Sequence, residues 1–128
     1  MTHHDYVTEL VVKAKEAGIT PQDVARELMA KNMETFAATL VRALADVYGM
    51  EPSELAHNVV YSREGMCMSA EAGAQALKDG LGFNAEAMAM MLRKLAFNHA
   101  ACKYLLDKLP FFSESEVEKA IKIAYNVD

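Results

Sequence analysis

The chain has 128 residues, 52% of them hydrophobic and 24% charged, and carries a formal net charge of −5. It is long enough for one core and too apolar for disorder, and its acidic balance argues against broad contact with a phosphate backbone, which takes clustered Lys and Arg. Three Pro, six Gly and no Trp leave little material for a β-sandwich, two cysteines are too few for a disulfide framework, and no apolar run approaches the roughly 20 residues of a membrane span.

Hydrophobic periodicity predicts seven or eight short helices. The first covers 4–17, with Tyr6, Leu10 and Ala14, or Val7, Val11 and Ala14, as its inner stripe and Gly18 as its stop. Thr20 caps the second, Pro21 sits at the first helical position where its missing N–H costs nothing, and Asp23 suits the helix dipole. This helix ends near Lys31-Asn32. The third, over 33–48, buries Phe36, Leu40, Leu44 and Val47 and stops at Gly49. Pro52 opens a fourth toward Tyr61, and Ser62-Arg63-Glu64-Gly65 is a turn. Three more helices follow over 85–95, 100–109 and 114–126.

Six of the helix starts are written in one recurring pattern: an apolar residue, a polar capping residue, then apolar residues five and nine positions after the first. The copies are Ile19-Thr20…Val24…Leu28, Met50-Glu51…Leu55…Val59, Met68-Ser69…Gly73…Leu77, Phe83-Asn84…Met88…Leu92, Phe97-Asn98…Cys102…Leu106 and Phe112-Ser113…Val117…Ile121. With the polar residue as N-cap, the apolar pair stands at N′ and N4, a hydrophobic staple. Gly73 is the weak copy and Glu51 a poor cap. Ser113 and Glu116 also form a capping box. A competing reading runs one helix through 85–109, because Met88, Leu92, Leu95, His99, Cys102, Leu106 and Leu109 make an unbroken stripe without Gly or Pro. A break at Phe97-Asn98 is favoured: a staple and cap have no purpose in mid-helix, and the unbroken stripe would bury His99. The expected fold is an all-α, compact multi-helix bundle, one domain over 1–128, with 1–64 and 65–128 as its sub-units if it divides.

Leu81-Gly82-Phe83, Met88, Leu92, then Cys102 with Tyr104-Leu105-Leu106, resembles ubiquitin-associated (UBA-like) three-helix modules, which carry a Met-Gly-Phe loop after their first helix and a Leu-Leu pair at the end of the third. The resemblance covers 69–107, with Leu81 in place of Met and Cys102 where a small Ala is usual. It implies a partner-binding surface of Leu81, Gly82, Phe83 and the Leu105-Leu106 end. A second resemblance, in 19–25 and 47–55, is to the outer helices of repressor-type helix-turn-helix domains. The Gly turn and Arg-rich reading helix are missing between them, and a groove reader needs exposed donors and cations.

Catalytic signals are sparse. His99 and Cys102, three apart, can share a helix face, and a thiolate–imidazole pair is real chemistry, but the neighbours Ala100, Ala101, Leu105 and Leu106 offer no orienting third group. His57, His99 and Cys102 could supply three metal ligands, but without any paired ligand motif. The methionine clusters Met66-Cys67-Met68 and Met88-Ala89-Met90-Met91 are soft enough for Cu(I), yet Met is more often core filler or an adaptable contact residue. Phosphate-cradling Gly loops are absent: Gly80-Leu81-Gly82 follows a helix rather than a strand.

A contact surface remains. Met88, Met91 and Leu92 face inward, which turns Met90 outward, near the Leu81-Gly82-Phe83 loop; with Met66 and Met68 these residues are expected to form an exposed apolar patch. The expected function is a non-enzymatic protein–protein interaction module in the cytoplasm, since no leader is visible at the N-terminus. Adaptor, inhibitor or immunity-type protein and oligomerising subunit all fit. The expected partner is a protein, a second copy of the chain included, with no cofactor, nucleic acid or membrane. Two alternatives stand beside it: a small helix-turn-helix DNA-binding regulator, and a thiol or metal protein using His99 and Cys102.

Overall fold

A computed structural model describes residues 3–31, 37–109 and 112–125, with side chains from Tyr6 onward. Among them are eight α-helices and no strand: α1 (His3–Glu16), α2 (Pro21–Ala30), α3 (Ala37–Tyr48), α4 (Pro52–Leu55), α5 (Ala70–Leu81), α6 (Ala85–Lys94), α7 (His99–Lys108) and α8 (Glu114–Tyr125). The expected start of the third helix at Met33, its stripe residue Phe36, Pro110 and Asn126 lie outside the described residues.

The caps form as the sequence pattern predicts. In all six copies the capping residue's carbonyl accepts from the N–H four residues on, at 2.8–3.1 Å. Five side chains add the cap itself: Thr20 to Asp23 N–H, Ser69 to Ala72, Asn84 to Ala87, Asn98 to Ala101 and Ser113 to Glu116. Glu116 returns a bond from the Ser113 N–H, completing the capping box. Glu51, expected to be a poor cap, makes no side-chain cap bond. Each N′ residue is half-buried and each N4 residue buried, the arrangement a staple requires. The weak copy also has its reason: a Cβ at Gly73 would run into Cε1 of Tyr61, whose ring occupies the place of the missing N4 side chain.

The helix does break at Phe97-Asn98. The Ala96 N–H reaches the Arg93 carbonyl at 2.9 Å and the Phe97 N–H the Leu92 carbonyl at 3.0 Å, with Ala96 at φ 69°, a Schellman stop. Helix α4 is shorter than the expected 52–61. It passes into a wide π-type turn over Ala56–Val60, closed by Tyr61 N–H to Ala56 carbonyl at 2.9 Å. The backbone then doubles back, Met66 and Met68 donating to the carbonyls of Val59 and Val60.

The chain divides into two compact units, Met1–Leu81 and Gly82–Asp128, so the boundary falls after α5 and not at 64/65. The reason is that α5 packs along α3. In the first unit α1 also packs along α3, and Val7, Val11 and Ala14 of α1 are buried, as are Leu40 and Leu44 of α3; of the two stripes proposed for α1, this excludes the one through Tyr6, which is 51% exposed. In the second unit α6 packs along α8 and α7 contacts both, around Met88, Leu92, Cys102, Leu106, Val117 and Ile121.

Candidate partner-binding surface

Helices α6 and α8 pack along each other through their buried faces, and two polar contacts also join them. Lys119, midway along α8, has its Nζ 4.0 Å from a carboxylate oxygen of Glu86 at the start of α6, both side chains being exposed. Near the ends of the two helices Arg93 Nη1 donates to the Ala124 carbonyl at 2.7 Å. Glu86, Met90 and Arg93 lie at i, i+4 and i+7 on one edge of α6, while Lys119 and Ile123 are i and i+4 on α8. The two contacts therefore bracket Met90 and Ile123. These side chains are 41% and 51% exposed, although their sequence neighbours Met88, Met91, Ile121 and Ala124 are all buried. Two exposed apolar side chains thus lie along the stretch between a carboxylate–ammonium contact and a guanidinium–carbonyl hydrogen bond.

The residues expected in the patch fare differently. Met90 is exposed as the helix geometry requires, and Phe83 is half-buried as the N′ residue of α6, with Gly82 exposed before it. In the first unit Leu81 is half-buried and Met68 half-buried as the N′ residue of α5, lining a groove with Ala37, Ala72 and Ala76. Met66 is a correction. It is only 5% exposed, because the backbone bond to Val59 folds its segment onto the π turn and turns its side chain into the core. It contributes nothing to an exposed surface. Ile123 and Tyr104, 61% exposed, were not anticipated. For Ile123 a signal existed: it lies off the inward stripe Val117, Ala120, Ile121, Ala124.

The thiol and metal candidates are placed apart from any site chemistry. Cys102 is fully buried, and burial pushes its thiol up, against a smaller lowering by Tyr125, the opposite of what an activated thiolate needs. His99 is exposed and packs edge-on to the Tyr125 ring, centroids 5.9 Å apart. His57 is exposed on the π turn of the other unit. Among the described residues no group of three or more His, Cys, Asp or Glu is placed to hold a metal ion, and no helix is long and apolar enough to cross a membrane. Cys67 is exposed and Cys102 buried, both unbridged. Comparison of the chain with family models, curated proteins and solved structures found no significant match.

Proposed function

We propose that the chain is a non-enzymatic, cytoplasmic protein–protein interaction module, and that its contact surface is the α6/α8 strip centred on Met90 and Ile123, with Phe83 and the Gly82 loop beside the start of α6. The observation that supports this reading is the exposure of two large apolar side chains, Met90 on α6 and Ile123 on α8, on helices that pack against each other and are joined by the Arg93–Ala124 hydrogen bond. An apolar centre with a charged rim is the usual anatomy of a contact patch, and Met adapts to a partner's shape at little cost. The unbridged cysteines accord with a reducing compartment.

The test replaces Met90 with Glu. Met90→Glu and the wild-type chain are compared for self-association by sedimentation and for capture of partners from native extract. The expected result is loss of the bound species with helix content and melting temperature nearly unchanged, because the position is on the surface. Retention of every bound species by Met90→Glu removes the strip from the interface.

A further inference from the structure

We infer that α1–α3 and α6–α8 are two copies of one three-helix motif, so that the chain contains an internal duplication interrupted by α4, the π turn and α5. The inference is independent of the interaction reading and rests on a register: residues of α1 and α2 correspond to those 78 further on, and residues of α3 to those 77 further on.

The corners match bond for bond. Helix α1 ends in a Schellman stop with Gly18 N–H on the Lys15 carbonyl and Ile19 N–H on the Ala14 carbonyl, Gly18 at φ 79°. Helix α6 ends the same way, with Ala96 on Arg93, Phe97 on Leu92 and Ala96 at φ 69°. Ile19 and Phe97 then each serve as N′ of the next helix, capped by Thr20 and Asn98. Helices α2 and α7 are each 10 residues long and share a final bond, Lys31 N–H on the Leu28 carbonyl and Leu109 N–H on the Leu106 carbonyl, both at 3.2 Å, although the chain leaves them differently, Lys31 at ψ 22° and Leu109 extended at ψ 125°. Helices α3 and α8 are each 12 residues long.

Two long-range clamps match as well, and local helix rules do not generate these. Tyr48, the last residue of α3, donates its hydroxyl to the Ile19 carbonyl at 2.7 Å; Tyr125, the last residue of α8, donates to the Phe97 carbonyl at 2.5 Å. A cation from the last turn of the first helix then caps the third: Lys15 Nζ donates to the Val47 carbonyl at 2.9 Å, and Arg93 Nη1 to the Ala124 carbonyl at 2.7 Å. All four pairs obey the register. So do the core pairs Leu28/Leu106, Leu40/Val117, Ala43/Ala120 and Leu44/Ile121, each buried in both copies, and the exposed pair Val12/Met90. Six short helices stapled alike would share caps. They would not share a tyrosine and a cation that span about thirty residues onto equivalent carbonyls.

The experiment is NMR on the full chain. Cross-relaxation from the Tyr48 ring to Ile19 and from the Tyr125 ring to Phe97 is expected in the wild type, together with helix ends in the 78/77 register; absence of either ring contact, or a different register, overturns the duplication. Amide exchange in Tyr48→Phe and Tyr125→Phe then reads each clamp. Tyr48→Phe should speed exchange at Gly18 and Ile19 by about 2- to 10-fold and spare Ala96 and Phe97, and Tyr125→Phe should do the reverse, the fold-change expected for one lost hydrogen bond. Variants that leave their own corner unchanged would show that the clamps are not what the copies share.

Discussion

Where the first three-helix copy carries Lys13, Glu27 and Lys31, the second carries Met91, Leu105 and Leu109. The three charged residues are exposed on the rim of an open groove of about 220 Å³ between α1 and α2, floored by Leu10, Ala14 and Ile19. The three apolar residues at the same places in α6 and α7 are buried, none more than 4% exposed. The two copies thus keep one frame and have exchanged the character of one whole face. The frame is held by backbone-directed devices: a left-handed stop, a side-chain cap, a tyrosine on a carbonyl and a cation on a carbonyl. None of these uses the six exchanged side chains, so the same frame accommodates a charged, open face in the first copy and an apolar, buried one in the second.

The largest effects should test whether the core is shared. Leu44 and Ile121 stand at equivalent positions, 0% and 2% exposed. Leu44→Ala and Ile121→Ala should each cost about 2–5 kcal/mol in chemical denaturation, the range for large-to-small changes in a packed interior. A loss under about 1 kcal/mol at either position would break the correspondence, since a collapsed site on one side only would mean different packing around it.

A smaller effect separates the copies by pH. Burial raises the pKa of Tyr48, and of Tyr61, which is pushed up to about 12 from its ordinary 10.0. Burial also raises Tyr125, the neighbouring Cys102 adding to the rise and Arg93 opposing it. A folded phenol that holds its proton above pH 10.0 binds more protons than the unfolded chain there. These tyrosines therefore contribute stability that is complete below about pH 10 and lost as pH climbs through their folded values. Denaturation midpoints should be flat from neutral to about pH 8, begin to fall near pH 9 as the thiol of unfolded Cys102 ionises, and fall further above pH 10, and Tyr125→Phe should flatten the fall above pH 10 more than Tyr48→Phe. An equal response from both variants would mean that the Cys102 contact adds nothing to burial at Tyr125.

How much of this could be read in advance follows from the range of each interaction. N′, N-cap and N4 lie within one turn, so Thr20, Ser69, Asn84, Asn98 and Ser113 announce themselves, and with them the all-α fold and the break before His99. Outward Met90 follows from the 100° step of a helix whose inner stripe is known. Met66 lies in a doubled-back segment with no period, so nothing local assigns it a face. The π turn after Leu55 breaks no residue rule, which left 52–61 looking like one helix. The clamps join residues 28 to 32 apart, and only Tyr48/Tyr125 among their side chains is identical, so the duplication is legible only once the carbonyl partners are known.

The smallest effect is the sharpest test of the shared corner, because the same backbone position holds Gly in one copy and Ala in the other. Gly18 and Ala96 both adopt left-handed φ, where an L side chain costs about 1–2 kcal/mol. Replacing Ala by Gly relieves that strain and returns about 0.4–1 kcal/mol of freedom to the unfolded chain, so the two terms partly cancel. Ala96→Gly should therefore stabilise the protein by a few tenths to about 1 kcal/mol, and Gly18→Ala should destabilise it by a similar amount. Nothing lies within 4 Å of a Cβ at Gly18, so its loss would be a backbone effect without a clash. Ala96 is exposed, so removing its methyl forfeits little packing. Urea midpoints moving in opposite directions would establish that the two stops are one turn; a loss in both would mean that the Ala96 methyl makes a contact with no counterpart at Gly18.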